Sequence, residues 1–282
     1  MPFDERRWPE LGFTYKPGGR TAPALRRPKK KIMYRNSILL CLLFLLSAGV
    51  SAQLGIKAGV TLGGTYGSAE EFDGDKIESI DPALGYQFGI TTRLLDLTGF
   101  KLNAELLYEN RRGQKNANFT IPASEQVSVT TDVKFRNSFE YLSLPVLATF
   151  GSDQLNFYVG PSFSYLLSAS SDVTTEISVT PEQAAGMGGL PPNSSMESEI
   201  DFIEDYDSPY INRFNVAANA GIMFPILPHA SLDIRIYHTL TDITNDDEDF
   251  SIIDRALGDP NPGLREDRDA SVGLQANLVF RF

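Results

Sequence analysis

From residue 54 to the end, the chain is dominated by segments in which apolar and polar side chains alternate residue by residue. A period of two belongs to β-strands with two different faces. It excludes amphipathic helices, whose apolar positions recur every three to four residues. In 155–167 one face carries Leu155, Phe157, Val159, Pro161, Phe163, Tyr165 and Leu167, and the other Asn156, Tyr158, Gly160, Ser162 and Ser164. The final segment sets Val272, Leu274, Ala276, Leu278, Phe280 and Phe282 against Ser271, Gly273, Gln275, Asn277 and Arg281. The same template fits 54–66, 83–95, 100–108, 138–150, 213–225 and 232–237, which predicts eight strands.

Most of these segments have the length that a tilted strand needs to cross a bilayer, roughly 9–11 residues. An even number of antiparallel strands can close on itself and leave no unpaired edge in lipid. The connections alternate as well. Those at 96–99, 151–154 and 225–230 are short, whereas those at 67–82, 109–137, 170–211 and 241–270 are long. Such asymmetry predicts an all-β fold: a closed, antiparallel, eight-stranded transmembrane barrel with short periplasmic turns and long extracellular loops.

A soluble barrel would turn its apolar face inward, so the polar face decides between the two settings. That face holds Lys57, Arg93, Glu105, Asp233, Arg235 and Arg281. In a membrane barrel these charges point into a narrow lumen, where opposite signs must pair. The apolar face ends in aromatics, among them Tyr66, Phe100, Tyr108, Phe150, Phe214, Phe224 and Phe280, as interfacial girdles require. The reading is therefore lipid outside and a charge network inside.

Residues 38–46, ILLCLLFLL, are too short to span a bilayer as a helix but fit a signal-peptide core. Lys29, Lys30, Lys31 and Arg35 precede this run, and Val50, Ser51 and Ala52 supply a cleavage site. Residues 33–52 read as the signal peptide, 1–32 as a start-site artefact or an extended basic region, and 53–282 as the barrel. The single cysteine, Cys41, falls in the leader, which excludes disulfides and thiolate zinc sites from the remainder. Residues 53–282 hold 15 basic and 33 acidic residues, a net charge of −18. A surface that negative repels nucleic acid.

Several motifs carry a family resemblance. Gln53-Leu-Gly-Ile-Lys-Ala-Gly-Val, Tyr141-Leu-Ser-Leu-Pro-Val-Leu and Phe157-Tyr-Val-Gly-Pro-Ser-Phe-Ser-Tyr-Leu-Leu are similar to segments of the PorT-like outer-membrane β-barrel proteins of Bacteroidetes. Asn215-Val-Ala-Ala-Asn-Ala-Gly-Ile and the closing Leu278-Val-Phe-Arg-Phe fit the same pattern. The resemblance implies an outer-membrane barrel and a link to secretion, and it transfers no functional residues.

Chemistry is sparse. His238, four residues before Asp242, is the one candidate for an enzymatic rim site, yet it falls on the apolar face. No G-x-S-x-G, H-E-x-x-H or phosphate-loop motif occurs. Residues 170–211 hold nine acidic residues and no basic one, and 245–249 read Asn-Asp-Asp-Glu-Asp. Clustered acids can collect a hard cation, but the order of a calcium loop is missing, so solvated acidic loops are expected. The expectation is a monomeric non-enzyme without cofactor or metal. Its loops would contact an envelope or secretion partner, a glycan or lipid headgroups; a narrow pore and a rim hydrolase are the alternatives.

Overall fold

The computed structural model describes residues 53–124, 126–152, 154–187, 192–202, 210–247, 249, 251, 263–265 and 267–282. The signal-peptide reading of 33–52, and that of 1–32, fall outside them. Eight long strands, here numbered in chain order, make the barrel. They are β1 (Leu54–Tyr66), β2 (Glu78–Leu97), β3 (Phe100–Ser124), β4 (Val127–Gly151), β5 (Asn156–Thr180), β6 (Phe214–Leu227), β7 (Ala230–Thr239) and β8 (Ala270–Arg281). Each pairs antiparallel with its sequence neighbours, and β1 pairs with β8 from Gly55–Arg281 to Tyr66–Ala270, so the ring closes.

Burial settles which face meets lipid. Phe163, Leu274 and Phe157 are 40%, 53% and 55% exposed, whereas Lys57, Glu105, Asp233 and Arg235 lie between 0% and 3%. A continuous outward band of Leu, Ile, Val and Phe is far larger than water tolerates, and lipid is its natural solvent. Aromatic pairs mark both rims of the band. Phe100 and Phe150 meet at 5.3 Å at the short-turn end, and Phe88–Tyr108 and Phe163–Phe214 pack at 5.1 and 6.5 Å toward the other.

The reading of 109–137 as a loop is corrected. β3 and β4 each run 25 residues, joined by a tight turn after Ser124. At ~3.3 Å per residue each is about twice as long as a crossing strand needs. The apolar signal stops because the outward face leaves the lipid: Leu102, Leu106 and Tyr108 give way to Asn110, Arg112, Gln114, Asn116 and Asn118. Period two persists with polar residues outside and Ala117, Phe119 and Val133 buried inside.

Two more assignments change in the same way. In 170–211, residues up to Thr180 continue β5, and Ser194–Asp201 forms a further strand beside it. In 67–82, β2 already begins at Glu78, after a small hairpin of Glu71–Phe72 and Asp75–Lys76. Beyond the membrane, then, β2–β5 and this extra strand rise as a wall, while β6, β7, β8 and β1 end near the rim.

The loops are not simply solvated either. Phe202, Ile211 and Ile243 pack with Phe139, Tyr141, Leu166 and Ala169 on the inner side of the wall. A bridge between Ile211 and Thr244 ties two loop segments together. Isolated loop apolar residues carry no period, which is why this small outer core was not visible in the sequence.

Candidate functional site

The lumen is filled by two layers of paired polar side chains. In the layer nearer the periplasm, Lys57 of β1 reaches both Glu105 oxygens of β3 at 3.1 Å and also contacts Asp233 of β7. Arg235 of β7 donates to Glu105 Oε2 at 2.8 Å, 3.7 Å from Asp233, and its Nε donates to Tyr158 Oη at 3.1 Å. Tyr158 donates in turn to Asp233, and its ring lies 5.2 Å from the guanidinium. Asn277 Nδ2 donates to Asp233 at 3.2 Å, and Asn277 accepts from Gln87 at 2.5 Å. Two cations and two carboxylates cancel, and most of their polar atoms have partners. That is the condition for tolerating charge away from water.

Of the six residues expected in the network, the structure brings four together: Lys57, Glu105, Asp233 and Arg235. The other two lie elsewhere. Arg93 pairs with Asp96 at 2.5 Å, and Arg281 donates to Met223 Sδ at 3.1 Å, both near the short-turn end. Their position in the first or last turn of a strand puts them at the mouth, where alternation alone gives no depth.

A second layer sits above. Arg111 pairs with Glu109 at 2.5 Å and lies between the rings of Tyr141 and Tyr237, 4.8 and 4.6 Å away. Ser143 donates to Glu109 at 2.6 Å, and Gln275 donates to its other oxygen at 3.3 Å. Gly273 makes room for the neighbouring Tyr237 ring, because a Cβ there would lie 2.5 Å from its Cε1. The sequence reading missed Glu109 and Arg111 by placing them in a loop. The period Asn103, Glu105, Leu107, Glu109, Arg111 was the signal that could have found them.

The proposed rim pair does not assemble. His238 Nε2 meets Tyr66 Oη on the outer surface, ring edge to ring face at 5.9 Å. Asp242 Oδ1 accepts from the amides of Thr244 and Asp269 at 3.2 and 3.1 Å. An acid that orders a loop in this way is not orienting an imidazole. Among the described residues no group of three or more His, Cys, Asp or Glu gathers around a point that would suit a metal ion.

Outside the membrane band, a cluster centred on Arg265 ties the cap together. Arg265 Nη1 pairs with Glu78 Oε1 at 3.0 Å, and Nη2 reaches Asp267 at 3.2 Å and the Ser68 carbonyl at 2.5 Å. Lys115 meets Glu78 from the wall at 2.8 Å. The Arg265 amide donates to the Asp249 carbonyl at 2.8 Å, and Tyr210 donates to the Asp249 carboxylate at 3.0 Å. One guanidinium thus connects the loop after β1, the outer end of β2 and the segment before β8.

Residues 50–245 match the outer membrane protein beta-barrel domain family, about 70% of the chain. The chain belongs to this family. It is an outer-membrane protein. Solved structures similar to it share little sequence. Neisserial surface protein A is 12% identical, with a TM-score of 0.34, over 83% of this chain and 100% of that one. Ail, the attachment invasion locus protein of Yersinia pestis, is 10% identical, with a TM-score of 0.29, over 82% and 100%. The outer membrane protease OmpT from Escherichia coli is 9% identical, with a TM-score of 0.29, over 82% and 96%. No curated protein matches the chain.

Outer-membrane barrels face the medium with their long segments, so the cap of this barrel experiences the external pH. Burial pushes the Asp249 carboxyl up to about 6 against the pull of Arg265, and burial raises Asp269 in the same direction. Burial would raise Glu78 too, but Lys115 and Arg265 overcome it and hold that carboxyl low. A carboxyl raised in the closed cap binds a proton that the open cap releases, so closure weakens as pH rises through about 6. The depressed Glu78 acts oppositely and withdraws its contribution only at acid pH, below the usual carboxylate range. Hydrogen exchange at the Arg265 amide, corrected for the intrinsic rate, is expected to be slower at about pH 5 than at about pH 7.5. Equal protection at both values would show that Asp249 does not control the cap.

Proposed function

We propose that this barrel is a non-conducting, monomeric membrane anchor with an interaction role. Its outer wall and acidic loop segments would present a surface to an envelope or secretion protein, a glycan or lipid headgroups. One observation carries the reading: the lumen is blocked twice, by Lys57–Glu105–Asp233–Arg235 and by Glu109–Arg111, all at most 4% exposed. Eight strands leave an interior just wide enough for side chains. Passing an ion would require separating buried, paired charges, which is costly. The resemblance to PorT-like barrels supports a secretion partner among these options.

The barrel reconstituted in planar bilayers is expected to give no conductance above a protein-free control. Stepwise channel currents would overturn the anchor reading and restore the narrow pore. Crosslinking on intact outer membranes, followed by identification of the captured species, tests the interaction role. A rim hydrolase is disfavoured because His238 is engaged by Tyr66 and Asp242 by backbone amides.

A further inference from the structure

Above the membrane, among the described residues, the wall ends in a strand that pairs along one side. Ser194–Asp201 pairs with β5 in an unbroken antiparallel register, from Ile177 opposite Ser194 to Ser170 opposite Asp201. Among the described residues it is the last strand of the sheet. The Phe202 amide donates to the Ala169 carbonyl at 2.9 Å, which extends the register by one pair and fixes the phase of the ladder. Because an antiparallel ladder alternates, the even-numbered residues turn N–H and C=O toward β5. Ser195, Glu197 and Glu199 turn theirs away from it. Natural edges are usually blunted by shortness, proline, charged side chains (lysine above all) or a bulge. This strand has eight residues, reads SSMESEID without proline or lysine, and shows no register shift.

The side chains specify what fits there. Glu199 lies opposite Asp172, Glu197 opposite Thr174, Ser195 opposite Glu176 and Asp201 opposite Ser170, so five carboxylates share the outward face of the last two strands. The bases on that face are one strand further in, Arg136 opposite Asp172 and Lys134 opposite Thr174. On the other face Met196 is 51% exposed, and Ile200, half-buried, leans on the outer core. A second copy of this chain pairing edge to edge would set glutamates beside glutamates, which disfavours it.

Building on the interaction role above, we propose that the Ser195–Glu199 edge accepts an extended cationic segment of a partner protein as an added strand. Lys or Arg at every second position would face Glu197 and Glu199, and the apolar residues between them would lie against Met196. Main-chain bonds supply the affinity in this mode of recognition, and the alternate side chains supply the selection.

The test uses the whole barrel in nanodiscs and a fluorescent eight-residue peptide of alternating Lys and Val, read by anisotropy. A second peptide has the same charges but is N-methylated at alternate amides, which removes the donors that would face the edge. Glu197→Pro removes an outward-facing N–H and leaves the β5 ladder intact. Glu197→Gln removes only the charge, and heat-modifiable gel migration verifies that each variant is folded.

Binding of the unmodified peptide is expected, about tenfold or more weaker with N-methylation, since several main-chain bonds are lost together, and about five- to tenfold weaker with Glu197→Pro, which loses one main-chain donor and the carboxylate. Glu197→Gln is expected to weaken it only about two- to fivefold. Equal binding of both peptides would reduce the effect to charge attraction and overturn the proposal, as would the absence of binding. Self-association in sedimentation that Glu197→Pro abolishes would assign the edge to a second copy instead. Failure here leaves the anchor reading standing, because that reading falls on bilayer conductance, which this assay does not measure.

Discussion

Replacing Glu105 by Gln is expected to cost about 3–5 kcal/mol of folding free energy, the range for removing one partner from a buried ion pair. Glu105 is the shared acceptor of Lys57 and Arg235, with contacts at 3.1 and 2.8 Å. Without its charge, two buried cations face Asp233 alone. The amide keeps the shape and part of the hydrogen bonding, so the loss is electrostatic rather than a packing defect. Lys57→Met in the same chain should recover part of the loss, because the layer returns to neutrality and the methionine fills a similar volume. Urea titrations of the two single variants and the double variant in lipid vesicles give the coupling directly. Additive losses would mean that water reaches this layer and screens its charges.

The second large effect is expected on the opposite face. Leu274 lies midway along β8, 53% exposed, between Leu62 of β1 and Ile236 of β7. An arginine there should destabilise the folded barrel by about 2–4 kcal/mol, and Phe280→Arg, close to the periplasmic rim, by about 0–1 kcal/mol. Equal penalties at the two depths would contradict a bilayer around this face. Inward Asn277→Arg, which alternation alone would rank as the milder change, is not a gentle control. Asn277 is 1% exposed, and its Oδ1 lies only 2.1 Å from where a Cβ on Gly59 would stand, so a longer side chain has no room.

Legibility followed the solvent. Within the lipid band each strand has apolar neighbours on one side and a polar lumen on the other, and the resulting period two revealed the strand number, the facing and four members of the charge layer. Above the band both faces of the wall meet water or a small mixed core. Residues such as Asn116, Lys134 and Thr174 alternate with Ala117, Val133 and Val173 too weakly to distinguish a strand from a polar loop. Glu109 and Arg111 fell on the wrong side of that line. The pairing inside the lumen was open for another reason. Alternation says which way Tyr158 points, but only the closed ring decides that its hydroxyl meets Asp233 rather than another residue at the same depth.

The lower lumen layer also bears on how the barrel forms. Its ion pairs join residues 48 and 130 positions apart, Lys57 with Glu105 and Glu105 with Arg235. Lys57 and Asp233 come from the first and seventh strands, so their contact requires the two ends of the chain to have met. In a sheet that has not closed, Lys57 is held apart from Asp233 and Glu105 from Arg235, and the unpaired charges favour staying hydrated. Drying of this layer is therefore expected to coincide with the joining of β1 to β8. Late, long-range contacts of this sort slow folding, and here they also make an unclosed barrel a poor competitor to the native one.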